Sequence, residues 1–125
     1  MNIKDSVKIV NLVEAGLYKG YTSSVIFTNT YYIQSKLIGR DVSINFLKNL
    51  RRLLTVLNVD DSITYKALES EFSDFEDAVQ YFTALESNMD CIITRNVNDY
   101  KKTTISVYTP TELLKIIEIK TNNVT

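Results

Sequence analysis

Apolar positions along this chain recur at two periods, and the switches between them divide it into elements. Over residues 4–15, Ile9, Leu12 and Val13 form a stripe at helical spacing that Val10 widens; Asp5 lies in the first turn and Gly16 is placed to end the helix. Leu17 to Thr22 contains Gly20 and the β-prone pair Tyr21-Thr22, which predicts a brief strand. Ser23 or Ser24 then caps a helix over 24–38 that carries Val25, Ile26, Tyr32, Ile33 and Leu37 and closes at Gly39. Asp41 is the expected N-cap of a helix over 42–53, with Ile44, Leu47, Leu50 and Leu54 inside and Lys48, Arg51 and Arg52 on a solvated face. Thr55 to Val59 is short and rich in β-branched residues, hence a strand, and Asp60-Asp61 turns the chain into a helix over 62–70.

The second half reads the same way. Ser73-Asp-Phe-Glu76 matches a capping box, S-x-x-E, opening a helix to about Ser87 whose expected core face is Phe75, Ala78, Val79, Phe82 and Leu85. Cys91-Ile-Ile-Thr94 is apolar on both faces, as buried parallel strands are. Asn96 to Lys102 is a polar loop or single turn, and Ile105 to Tyr108 is the last strand. Thr109-Pro-Thr-Glu112 is a second capping box with Pro110 at the first helical position, opening a helix over 110–119; the polar tail 120–125 is expected to fray. Strands alternating with helices predict an α/β fold with a parallel sheet. With no repeat and no linker-like stretch, residues 1–125 form a single domain.

Composition narrows the chemistry more than the fold. A formal net charge of -1 makes no general field for nucleic acid, although a local basic rim is compatible with it. The single cysteine, Cys91, precludes a disulfide framework, reads as a small buried hydrophobe and points to the cytoplasm. No run approaches ~18 apolar residues, so no membrane span is expected, and no apolar leader is visible at the N-terminus. There is no histidine, which removes Ser-His and Cys-His nucleophiles and His-ligated zinc together. A metal here is held by oxygen ligands, which suit Mg²⁺ or Mn²⁺. The eight tyrosines suit core and interface packing better than base stacking.

Five acids fall between Glu69 and Asp77, namely Glu69, Glu71, Asp74, Glu76 and Asp77, and Asp99 follows the next strand. Asp74 and Asp77 are three apart and share a helix face. Acids at a helix N-terminus complement the macrodipole, so the cluster is also explained as capping alone. If the helix and the strand after it pack as an αβ unit, Asp77 and Asp99 both reach the edge where strands end, which is where open α/β sheets place their ligands. Converging carboxylates of that kind hold a divalent cation that readies a water for attack on phosphorus.

Asp74-Phe-Glu-Asp-Ala-Val-Gln-Tyr-Phe-Thr-Ala-Leu85, then Asp90-Cys-Ile-Ile-Thr-Arg-Asn-Val-Asn-Asp-Tyr100, then Val107-Tyr-Thr-Pro-Thr-Glu-Leu-Leu114 resembles the C-terminal half of a PIN domain. The carrying pattern is D-A at a helix start, an apolar strand, T-R-N-x-x-D-[FY], and T-P-x-E-[FL] after the last strand. The resemblance implies a three-layer α/β/α fold with a short, mostly parallel sheet, and a Mg²⁺- or Mn²⁺-dependent endoribonuclease of the VapC toxin type. Its implied partners are single-stranded RNA, an antitoxin protein and a second copy in a homodimer. By match, Asp77 and Asp99 are the metal-binding and catalytic acids, and Asp74, Asn29, Asn96 and Thr94 line the same pocket. Two departures stand out. The family's first strand carries D-T-N, whereas Met1-Asn-Ile3 runs straight into a later helix; and Asn29 stands where a glutamate is usual. The remaining pair is expected to bind a divalent ion more weakly than four acids would. A second reading therefore stays open: a shortened, inactive PIN-like protein that keeps only partner or RNA binding. The absent strand also leaves the Tyr21 and Cys91 strands either to pair directly or to flank a gap filled by another chain.

Overall fold

The computed structural model describes residues 3–100 and 103–123. In chain order the elements are α1 (Ile3–Glu14), β1 (Tyr21–Ser23), α2 (Ser24–Ile38), α3 (Arg40–Leu53), β2 (Thr55–Leu57), α4 (Asp61–Glu69), α5 (Phe75–Glu86), β3 (Cys91–Ile93), β4 (Ser106–Tyr108) and α6 (Pro110–Asn123). A single 3-10 turn, Val97–Asp99, lies between β3 and β4. The α/β alternation is the one the apolar periods predict.

Local chemistry sets most boundaries. Ser23 caps α2 by accepting from the Ile26 amide, and Asp60 caps α4 by accepting from the Ile63 amide at 2.9 Å. Thr109 and Glu112 form the reciprocal box: the Thr109 amide donates to Glu112 Oε1 at 2.9 Å and the Glu112 amide to Thr109 Oγ1 at 3.1 Å. Gly16 and Gly39 take left-handed φ of 79° and 87° at the ends of α1 and α2. Gly20 answers a different need, because a Cβ there would sit 2.4 Å from Leu54 Cδ2.

Three expectations shift. Gly39, not Asp41, occupies the N-cap of α3; the helix starts one residue early and Asp41 falls in its exposed first turn. The cap of α5 is Asp74, whose Oδ1 accepts from the Asp77 amide at 2.9 Å, so Ser73 and Glu76 do not form the box. The buried arc of α5 is Ala78, Val79, Tyr81, Thr83 and Ala84, while Phe75 and Leu85 are exposed. The reason is close approach: Ala67 of α4 and Ala78 of α5 meet in one core cluster with Ile63 and Val79, and small side chains bring the two helices together. Large residues at the two ends of α5 are left outside that contact. At the far end of the chain, α6 continues through Asn123 instead of fraying at 120, and Thr121 Oγ1 donates to the Ile117 carbonyl; residues 124–125 lie outside the described residues.

The strands form two parallel pairs instead of one sheet. β1 pairs with β2 in the register Tyr21↔Thr55, Thr22↔Val56, Ser23↔Leu57. β3 pairs with β4 in the register Cys91↔Ser106, Ile92↔Val107, Ile93↔Tyr108. β1 and β3 are not paired, so the direct closure expected as one alternative does not occur. Nor is β3 buried on both faces: Ile92 is buried but Ile93 is 37% exposed. α5 runs through both core clusters, the second of which joins Tyr81, Ala84, Ile92 and Tyr100, and so ties the two halves into one body. On the outside, Thr111 Oγ1 of α6 donates to the buried Asp5 carboxylate of α1.

Candidate functional site

The first turn of α5 and the loop after β3 meet at the end of the molecule where β3 finishes. Asp74 Oδ1 holds the Asp77 amide, which sets the two carboxylates beside each other at the start of the helix. From the loop, the 3-10 turn delivers two consecutive residues. Its backbone is closed by the Asp99 amide on the Asn96 carbonyl at 3.1 Å and the Tyr100 amide on the Val97 carbonyl at 3.0 Å. Tyr100 turns inward, is buried, and packs edge-on against Phe72 with centroids 5.5 Å apart. Its hydroxyl donates to Asp77 Oδ1 at 3.2 Å. Asp99 stays half-buried, within hydrogen-bonding reach of Asp77.

The electrostatics follow from this crowding. Asp77 is pushed up from the model value of 3.8 to about 6, first by loss of solvent, then by the negative charge of Asp74. Asp99 pushes in the same direction, and the Tyr100 hydroxyl partly offsets both by stabilising the ionised form. Reciprocally, Tyr100 is raised above the ordinary phenol range by burial and by the Asp77 charge. Cys91 is raised by burial and by Asp90 and has no part in the site.

The other residues singled out in the sequence have different positions. Thr94 extends the β3–β4 ladder by one residue, its amide on the Tyr108 carbonyl at 2.9 Å, and its Oγ1 accepts the Asn96 amide at 3.2 Å. It orders the loop that carries Asp99. Asn96 is exposed and lines a shallow concavity with Arg95, Asp99, Thr109 and Glu112, beside the Asp77–Asp99 pair. Asn29 lies half-buried in the second turn of α2, and no hydrogen bond joins it to Asp77 or Asp99 among the described residues. Two contacts were not visible in the sequence. One is the Tyr100 hydroxyl. The other is Gln80, one turn along α5 from Asp77, whose Nε2 donates to the fully buried Ser23 Oγ at 3.0 Å. The aromatic alternative in D-[FY] was the only hint of the first; nothing local signals the second.

Among the described residues no three acids converge as a ready-made cage. The Asp77–Asp99 pair nevertheless fits a hydrated Mg²⁺ or Mn²⁺. Its donors are hard oxygens, Mg²⁺ is usually held through one or two carboxylates with waters completing the shell, and the raised Asp77 titration shows an excess of negative charge. A Tyr100→Phe variant removes one donor and leaves the ring packing. We expect it to fold with a loss of about 1 kcal/mol and to move the Asp77 titration further up, as followed by carboxyl-carbon NMR.

The sequence comparisons fall on this geometry. A family model described as the PIN domain matches residues 1–98, which takes in Asn29, Asp74, Asp77, Thr94 and Asn96 and stops one residue before Asp99. "Ribonuclease VapC1" of Aquifex aeolicus (strain VF5) is 27% identical over 105 residues, covering 80% of this chain and 72% of that protein. No solved structure gives a significant match.

Proposed function

This chain belongs to the PIN domain family, and from that premise we propose that it is a divalent-metal-dependent endoribonuclease of the toxin–antitoxin type, acting on single-stranded RNA in the cytoplasm. The observation that carries this is the convergence of Asp77 and Asp99 from α5 and the loop after β3, with Tyr100 fixing Asp77 from below. The similarity to a protein printed as a ribonuclease supports the substrate class.

Asp77 and Asp99 are the residues that would hold Mg²⁺ or Mn²⁺, which when bound supplies charge to the phosphate and lowers the pKa of the attacking water. Tyr100 keeps one Asp77 oxygen engaged and so orients the other. Asp74 fixes the start of α5 through the Asp77 amide and adds negative charge behind the pair. Thr94 and Asn96 shape the loop along which a phosphate backbone would lie, and Arg95 on the rim of the concavity gives it a positive contact. Asn29 is assigned a place at the margin of the same pocket, orienting water without adding charge.

Exposed apolar side chains on α2 and α3 support a second chain at that face in a homodimer: Tyr32, Ile33, Leu37, Ile38, Val42 and Phe46. An antitoxin segment is the other partner expected there. A solution mass of one chain would remove the homodimer.

The test is cleavage of a labelled single-stranded RNA in Mn²⁺, with and without chelator. Metal-dependent cuts are expected. The lack of a third converging acid favours the other reading, a PIN-like protein that binds without cutting. A folded protein that retains RNA and leaves it intact in Mn²⁺ would establish that reading instead.

A further inference from the structure

β1 and β3 each use only one edge: β1 pairs with β2 and β3 with β4. The other edge of each strand has no strand partner among the described residues, and unpaired backbone groups of this kind seek a ladder. Both strands lie against one helix. Ser23, the last residue of β1, is bonded to Gln80 of α5. Ile92 of β3 packs in one cluster with Tyr81 and Ala84 of α5.

Magnitudes fix the width of the space between them. A helix with its side chains is about 10–12 Å across, and neighbouring strands lie about 4.8 Å apart. Two unpaired strands resting on one helix are therefore about two strand spacings apart. That leaves room for one strand and excludes two. Direction is fixed as well. The C-terminal end of β1 reaches Gln80, and the chain beyond the C-terminal end of β3 reaches Asp77, so both strands finish toward the first turns of α5 and run the same way.

The occupant has to come from elsewhere. The described residues between these strands are committed to helices, to β2 and β4, or to loops, and the six remaining residues stand in three separate pairs at 1–2, 101–102 and 124–125. A second copy has the same four strands, each already paired. We propose that the slot between β1 and β3 takes one extended strand of a different polypeptide, parallel to both neighbours and apolar on both faces. A central parallel strand covered by helices is apolar on both faces, and two free edges recognise main chain before side chain. The C-terminal end of such a strand would emerge beside Asp77 and Asp99, so the partner would control access to the carboxylate pair.

The test uses the full chain and three synthetic peptides. The first is acetyl-Lys-Val-Ile-Val-Thr-Val-Lys-amide. The other two carry the same sequence N-methylated at odd or at even positions, because alternate residues of a central strand bond to opposite neighbours. Hydrogen exchange of the unmethylated complex is expected to slow in both 21–24 and 91–94 by about tenfold or more, and methylation of either set is expected to abolish this. Binding that survives one of the two methylated sets would mean addition at a single edge and would overturn the slot. No protection by the unmethylated peptide would overturn it too. A dimer of the chain alone whose β1 and β3 amides are already protected would give the slot to a second copy and end the proposal of a different polypeptide.

Discussion

Replacing Asp77 by Asn removes RNA cleavage and, at pH 7, makes the protein more stable. The first effect follows from losing one of two carboxylates in a pair that has no third acid beside it. A drop of at least about 100-fold is expected, since loss of a residue merely supporting a metal ligand already costs ~10–100-fold. The second effect follows from the raised titration. In the folded chain Asp77 holds its proton up to about 6, against a model value of 3.8. Between those values the folded state binds more protons than the unfolded one, so stability falls as pH rises from 3.8 to about 6 and is level above it. Asn carries no charge to penalise and still offers Tyr100 an acceptor. The gain at pH 7 is expected at about 1–2 kcal/mol, discounted because the carboxylate keeps some solvent, and it should vanish below pH 4. Urea unfolding at pH 3.5 and pH 7 reads it directly. Millimolar Mn²⁺ should reverse the order at pH 7 by stabilising the natural protein alone. Equal stabilisation of both proteins by Mn²⁺ would take Asp77 out of the metal site.

That pairing of opposite effects separates a functional carboxylate from a helix cap. Asp74 is the control. Its Oδ1 accepts the Asp77 amide, so Asp74→Ala loses a cap and is expected to destabilise the chain by ~1 kcal/mol. A residue that only caps cannot gain stability on neutralisation, whereas one crowded by like charge can.

The parts of the fold legible in the sequence are those decided within a few residues. Thr109 and Glu112 are three apart and cap each other as read; Asp60 caps α4; Gly39 ends α2. Where two caps compete within one residue, as Ser73 and Asp74 do, the pattern alone does not choose. The choice then turns on which start lets Ala78 and Val79 meet Ile63 and Ala67 across the helix pair. Strand pairing is less legible still. Period identifies Tyr21–Ser23 and Cys91–Ile93 as strands but is silent on whether they are neighbours, because that depends on backbone edges that carry no side-chain signal. Within the site, Asp77 and Asp99 were found by their place in a motif. Ser23 and Gln80, 57 residues apart, were not, and the α5 surface that holds β1 was invisible until the chain was folded.

Tyr81→Ala is expected to be among the costliest single substitutions in the chain, and it should reach the site from a distance. Tyr81 is 5% exposed, with its ring 5.4 Å from Phe72 and 5.1 Å from Phe82. Its hydroxyl contacts Thr104 Oγ1 and accepts the Thr104 amide, both at 3.1 Å. Truncating a buried aromatic costs about 3–5 kcal/mol, a large share of the ~5–15 kcal/mol available to a domain. Tyr81→Phe keeps the ring and frees an amide on an exposed residue, which water can satisfy, so about 1 kcal/mol is expected. The contrast between the two variants apportions the effect to packing. It also predicts coupling. Phe72 touches both Tyr81 and Tyr100, and Tyr100 in turn holds Asp77. With Tyr81 truncated, Phe72 relaxes and the Tyr100 hydroxyl is less firmly placed. Removing that hydroxyl should then cost less than it does in the natural protein. A double-mutant cycle of Tyr81→Ala with Tyr100→Phe, read by chemical denaturation, should therefore depart from additivity by more than ~0.5 kcal/mol. Additive losses would mean that the aromatic cluster stabilises the fold without steadying the carboxylate, leaving Asp74 and the 3-10 turn to position Asp77 and Asp99 on their own.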